Sequence, residues 1–155
     1  MTDVVNKGKR SSMMSGIRGK NTKPEILIRK KLHAEGFRYK LHDSRLPGKP
    51  DIVFPKYHAV IFVNGCFWHR HDCHLFKWPQ SNSEFWLKKI NLTYITDQKN
   101  YKELSEQGWR ILEIWECAIK GKEKIPVDFL IIQISFWLTS ATNYLIIRGQ
   151  KKEDQ

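Results

Sequence analysis

Cysteine is scarce in this chain, three residues among 155. The odd number suits a disulfide framework poorly and a metal site well. Also missing is any apolar run approaching the roughly 20 residues that a membrane-crossing helix needs. The most apolar late segment, residues 127–138, is interrupted by Asp128, Gln133 and Ser135 and reads as a buried helix. The first ten residues lack the apolar centre of a secretory signal, so a cytoplasmic location is expected. There is no internal repeat and no low-complexity tract. Acidic residues are few, 16 against 27 Lys and Arg, for a formal charge of +11. Such an excess of solvated cations attracts phosphate and favours counterion release, so a nucleic acid is the expected partner and a membrane is not.

What is present suits one domain, with 41% apolar residues to build a single core. Residues 1–20 read as a flexible, charged arm that contacts DNA, 21–148 as the folded domain and 149–155 as a polar tail. In the arm, Ser11 and Ser12 can cap a short helix bearing Met13, Met14 and Ile17. Those methionines either touch the core or wedge between bases, as apolar side chains do in minor-groove binders. Thr22 to Glu25 has capping-box spacing with Pro24 in the first turn, which predicts a helix to about residue 35, ended by Gly36. Alternation over residues 37–41 predicts a half-buried strand. Residues 51–54 and 59–63 read as a hairpin whose second run is continuous enough to lie mid-sheet. Ser83 is expected to cap a long helix ending near Gly108, followed by a strand over residues 109–115. A strand, a long helix and a strand favour a right-handed crossover between parallel strands, which brings Cys66 and Cys117 to one edge.

Residues 64–78 read Asn-Gly-Cys-Phe-Trp-His-Arg-His-Asp-Cys-His-Leu-Phe-Lys-Trp and hold two of the three cysteines and three of the six histidines. Donors that alternate with large aromatics at this spacing fit neither a helical stripe nor a strand face. Zinc accounts for the mixture. With Cys117 there are six candidate donors for four positions: Cys66, His69, His71, Cys73, His74 and Cys117. Three thiolates and one imidazole make a closed structural site, and the tight spacing of Cys66, His71 and Cys73 favours His71 as the imidazole. His69 and His74 are then spare, His74 as a surface residue. Buried free cysteines beside unrelated histidines are the competing reading.

Asp51 follows Pro50 at the start of a strand. A carboxylate there can hold magnesium while the next strand supplies an oxygen, although an Asp after Pro is also a common turn residue. The company of a capping-box Glu25, a spare His69 and a strongly basic chain favours the catalytic reading.

The runs Leu46-Pro-Gly-Lys-Pro-Asp-Ile-Val-Phe54, Val60-Ile-Phe-Val-Asn-Gly-Cys-Phe-Trp-His-Arg-His-Asp-Cys73, Glu84-Phe-Trp-Leu87 and Gly108-Trp-Arg-Ile-Leu-Glu-Ile-Trp-Glu-Cys117 resemble the very-short-patch repair (Vsr) endonucleases of bacteria over about residues 10–125. The resemblance implies an α/β, restriction-endonuclease-like fold with a mixed central β-sheet flanked by helices and a structural zinc. It also implies a magnesium-dependent, strand-specific nick 5′ of the thymine in a T:G mismatch left by deamination of 5-methylcytosine. Asp51 and the main-chain carbonyl of Val63 are then the magnesium ligands, His69 is the general base, and Glu25 supports the site through water. Cys66, His71, Cys73 and Cys117 match the zinc ligands. Phe67, Trp68 and Trp86 match the aromatics that intercalate beside the mismatch, and Met14 falls in the arm that reaches in from the other groove. Lys89, beside Lys88, is a candidate phosphate contact. Double-stranded DNA with a T:G mismatch is the implied partner, mismatch-repair proteins are further candidates, and a monomer is the expected state. The rivals are a restriction-type endonuclease of other specificity, a non-catalytic zinc-containing DNA-binding module and an RNA-binding protein.

Two positions depart from that family's pattern. Residue 63 is valine in place of threonine, which leaves a main-chain carbonyl unaffected. Residue 64 is asparagine in place of histidine, and an amide can bond a phosphate oxygen but does not exchange protons near neutral pH. Nicking by this chain is therefore expected to be slower, and to vary less with pH, than nicking by an Asn64→His variant assayed alongside. A parent chain that stays inert until Asn64→His restores cutting contradicts this.

Overall fold

The computed structural model describes residues 23–151. The arm with Met14, the Thr22 cap and residues 152–155 lie outside the described residues. Three helices, α1 (Lys23–Ala34), α2 (Ser83–Glu106) and α3 (Val127–Leu138), accompany five strands. These are β1 (Lys40–Leu41), β2 (Ile52–Phe54), β3 (Ala59–Asn64), β4 (Arg110–Trp115) and β5 (Tyr144–Ile147), joined in that order in one sheet. Pairing is antiparallel from β1 to β3 and parallel from β3 to β5. The expected mixed sheet is present, with the expected hairpin and the expected parallel pair on either side of β3.

Strand alternation sorts the core into two layers. Ile52, Phe54, Ala59, Ile61, Leu112, Ile114 and Ile147 meet Ile28 and Leu32 of α1 and Leu130, Ile134, Trp137 and Leu138 of α3. Val53, Val60, Phe62 and Ile111 meet Tyr101 and Leu104 of α2. Ile28 and Leu32 lie one turn apart and are both fully buried. At about 1.5–3 kcal/mol for each buried aliphatic side chain, that pair is enough to dock a helix of three turns. Docking α1 sets Glu25, one turn earlier, against the sheet at 1% exposure.

Two expectations change and one strand is new. Residues 37–41 do not form a full strand, because the Phe37 N–H donates to the Leu32 carbonyl, and Gly36 adopts a left-handed φ of 99°. This helix-end turn holds Phe37 against α1, and its ring packs on Phe54 and Tyr57 at 6.3 and 5.8 Å. The apolar alternation there serves packing, and only Lys40 and Leu41 pair with β2. Ser83 is the first residue of α2, not its cap. Asn82, at φ 54°, takes that place without a side-chain hydrogen bond. Lastly, β5 was not anticipated, although Tyr144–Ile147 is a four-residue apolar run that pairs with Ile111–Ile114. No helix among the described residues is long and apolar enough to cross a membrane.

Candidate active site and metal centre

Parallel pairing places Asn64 opposite Trp115, so Cys66 and Cys117, each two residues further on, emerge side by side. Between them the chain after β3 curls tightly. The His69 N–H donates to the Gly65 carbonyl and the His71 N–H to the Cys66 carbonyl. This curl, with Arg70 at φ 55°, turns His71 back toward both sulfurs. The Cys66 and Cys117 Sγ atoms each lie 3.5 Å from His71 Nδ1, and the ligand atoms of Cys66, His71, Cys73 and Cys117 all fall within 4.8 Å of one another. A tetrahedral zinc with ordinary Zn–S and Zn–N bonds has S···N edges of about 3.6 Å. The four residues could thus hold a metal ion, and their soft donors suit zinc.

The surroundings are those of a thiolate site. Main-chain N–H groups of Cys117, Gly149 and Leu75 donate to the sulfurs of Cys66, Cys117 and Cys73 at 3.3, 3.2 and 3.4 Å, contacts that stabilise negative sulfur. Without a metal, burial pushes the Cys66 and Cys117 thiols up and brings His71 down to about 4. His71 is therefore neutral at physiological pH and available as a ligand, with its ring stacked on Trp115 at 4.1 Å. Gly149, at the start of the expected tail, belongs to this centre. A Cβ there would lie under 3 Å from the Cys117 carbonyl oxygen and from Glu123. His74, expected at the surface, is half-buried, with Nδ1 3.3 Å from a Glu123 oxygen.

A second group of donors lies at the β2 end of the sheet. Asp51 Oδ2 accepts the Val63 N–H at 2.7 Å. Glu25 Oε2 receives Arg29 Nη1 at 2.7 Å and lies 3.0 Å from His42 Nε2. His42 Nδ1 is 3.8 Å from Asp51 Oδ1, and one ligand atom from each of Glu25, His42 and Asp51 falls within the same 4.8 Å span. The N–H and C=O of one strand residue face the same neighbour, so the Val63 carbonyl also points toward β2. Two carboxylates and a carbonyl are hard oxygen donors of the kind magnesium takes. Burial, with the Glu25 carboxylate beside it, pushes Asp51 up to about 8 against the pull of the Val63 N–H. His42 was missed from the sequence, where it reads as the start of a turn and no spacing marks it.

His69 stands apart from the cysteines. Its Nδ1 is 2.5 Å from Asp97 Oδ2 on α2, a partner that sequence reading also missed. A proton shared at Nδ1 leaves Nε2 with a lone pair, the state a general base requires. Asn64 Nδ2 donates to the Tyr101 hydroxyl at 2.9 Å. His69, Asp97, Tyr101 and Glu113 line one cleft with Arg70, Lys77 and Arg148. Burial is the main reason that Glu113 is pushed up to about 7.

The aromatics expected at the DNA form one group. Ring centroids of Phe67, Trp68 and Trp86 are 5.2, 5.5 and 5.8 Å apart. Each ring is partly exposed. Lys89 Nζ sits 5.9 Å from the Trp68 ring and 5.7 Å from Phe85. Met14 is not among the described residues.

Comparisons with known proteins bear on this arrangement. The family model described as DNA mismatch endonuclease Vsr matches residues 2–75. The type II nicking enzyme V.NmeAIP of Neisseria meningitidis is 48% identical over 122 residues, 79% of this chain and 87% of that protein. The DNA mismatch endonuclease Vsr of Escherichia coli is 41% identical over 138 residues, 89% of this chain and 88% of that one. The type II nicking enzyme V.XorIIP of Xanthomonas oryzae is 42% identical over 119 residues, covering 77% and 88%.

The Asp51 carboxyl has a definite consequence for stability. Its folded value of about 8 lies above the ordinary 3.8, so the metal-free fold keeps this proton longer than the unfolded chain does. Its contribution is therefore fully present below about pH 3.8 and is lost as pH rises to about 8. Asp51→Asn is expected to stabilise the metal-free protein by at least about 1 kcal/mol at pH 8.5 and by less at pH 5, measured by urea unfolding in chelator. Equal effects at both pH values contradict the assignment.

Proposed function

Because the chain belongs to the Vsr family of DNA mismatch endonucleases and is thus a DNA nicking endonuclease, we propose that it cuts one strand 5′ of the thymine in a T:G mismatch, with magnesium. The observation that carries this reading is the partly exposed cluster of Phe67 and Trp68, on the chain segment between Cys66 and His69, with Trp86 of α2. A B-form duplex hides its bases, but a mismatched step is already poorly stacked, so an aromatic wedge enters there with a penalty smaller by about a few kcal/mol. That difference supplies selectivity, and Lys89 adds a phosphate contact near the wedge.

Cys66, His71, Cys73 and Cys117 hold a structural zinc that fixes the angle of the wedge and of His69. Asp51 and the Val63 carbonyl hold magnesium, with Glu25 supporting the site through water. Bound there, magnesium supplies positive charge against the scissile phosphate and the leaving oxygen. His69 accepts the proton of the attacking water at Nε2, while Asp97 keeps the ring oriented and stabilises its charged form. Asn64 contributes an amide hydrogen bond where the family has a histidine. The type II nicking enzymes among the relatives support a second reading, a nick in a fixed sequence context, and matched and mismatched duplexes of one sequence separate the two.

Asp51→Ala is expected to lower nicking of a T:G duplex by at least about a thousandfold in a gel assay while mismatch binding survives. Trp68→Ala is expected to reduce the preference for mismatched over matched duplex about tenfold, with little change in the salt-dependent affinity common to both. Normal cutting by Asp51→Ala places the centre elsewhere.

A further inference from the structure

His42 directly follows β1 and adopts a left-handed φ of 48°. A residue with a Cβ is unfavourable in that region and is kept there where its surroundings demand it. The main-chain N–H of His42 donates to the Asp51 carbonyl at 3.1 Å, so the turn lays the imidazole beside the Asp51 side chain. One ring nitrogen faces each acid: Nε2 is 3.0 Å from Glu25 Oε2, and Nδ1 is 3.8 Å from Asp51 Oδ1.

The two separations differ in kind. At 3.0 Å, Nε2 is within hydrogen-bonding distance of Glu25 Oε2, an oxygen that also receives Arg29 Nη1 at 2.7 Å. The 3.8 Å between Nδ1 and Asp51 Oδ1 is too long for a hydrogen bond and shorter than the roughly 4.5 Å that a bridging water spans. Two donors about 2.1 Å from one shared divalent ion lie roughly 3.0 to 4.2 Å apart, and the observed gap falls inside that range. The Asp51 oxygens are divided to match: Oδ2 accepts the Val63 N–H at 2.7 Å, and Oδ1 is the one turned to His42. An imidazole with one nitrogen toward a metal and the other against a carboxylate is the usual arrangement of a ligating histidine. An amide side chain here could bond Glu25, but only a ring presents a second nitrogen to Asp51.

We propose that His42 Nδ1 is a direct ligand of the cation that Asp51 holds, with Glu25 orienting the ring. The site then offers one imidazole among oxygens and favours a divalent ion that accepts nitrogen, such as manganese, over magnesium. The inference rests on reading Asp51 as a cation ligand in the proposed function, and it adds a nitrogen donor from a turn that carries no metal-binding spacing in the sequence.

Electron paramagnetic resonance of manganese added to the DNA-free protein tests it, because the spectrum counts bound ion and the spin echo detects directly bonded nitrogen. The parent is expected to show the echo modulation of a coordinated imidazole, and growth on heavy-nitrogen histidine is expected to change that pattern without altering the protein. His42→Asn, whose new side chain tolerates the same left-handed backbone, is expected to lose the modulation and to bind manganese at least about tenfold more weakly. Magnesium affinity, measured by calorimetry, is expected to fall about threefold or less in the same variant. A parent that binds no manganese, bound manganese without imidazole modulation, or modulation that persists in His42→Asn each overturn the proposal. Asp51→Asn separates this result from the proposed function. It is expected to abolish the manganese site, and manganese bound equally well without the carboxylate overturns the proposed centre as a whole. A parent chain that leaves the T:G duplex intact overturns the proposed function alone, and the resonance signals still decide the role of His42.

Discussion

Six consecutive residues of β3 pair in parallel with six of β4, from Ala59 opposite Arg110 to Asn64 opposite Trp115, and this register decides where the chemistry lies. Both strands finish at the same level, so the segments that follow them start together. Cys66 and Cys117 come from those two segments, and His71 and Cys73 from the curl after the first. On its other edge β3 pairs with β2, which points the Val63 N–H at Asp51. Slipping one strand by one residue would turn Asn64 away from Tyr101 and separate the two cysteines. The continuous burial of Val60, Ile61, Ile111, Leu112 and Ile114 resists that slip, because every alternative puts charged Glu113 or Arg110 where apolar side chains now pack.

The same register gathers groups that repel one another or resist ionisation when no cation is present. Burial and the Glu25 carboxylate hold Asp51 protonated well above its ordinary range, and burial does the same to two of the thiols. A cation relieves both by releasing protons. The two groups differ in hardness, oxygen at Glu25 and Asp51 and mostly sulfur at the cysteines, which sorts one metal from another without a difference in overall shape. N–H donors from Cys117, Gly149 and Leu75 are already aimed at the sulfurs, so that site is organised to receive charge.

Much of this could be read from the residues. Helix α3 has the boundaries its apolar run suggested, and the parallel pairing of β3 with β4 followed from the length of α2. The four residues expected to surround zinc do come together, and His69 is left outside them. Less legible were features that depend on contacts distant in sequence. His42 faces Glu25 and Asp51 only because β1 pairs with β2, and no local pattern distinguishes it from other turn histidines. Asp97 meets His69 across 28 positions, from the middle of a long helix. Glu113 carries no local sequence signal, and only the fold brings it into one cleft with His69, Asp97 and Tyr101. The strand β5 escaped notice because a four-residue apolar run near a chain end gives too short a period to judge.

The claim on which the rest leans is that sulfur and one imidazole clamp an ion that takes no part in the reaction. Elemental analysis of the protein purified without added metal, combined with zinc-edge X-ray absorption, measures this directly. One zinc per chain bound by three sulfurs and one nitrogen, with the same spectrum in His69→Ala, is the expected result. A folded protein that holds no zinc, or a nitrogen ligand that disappears in His69→Ala, contradicts it.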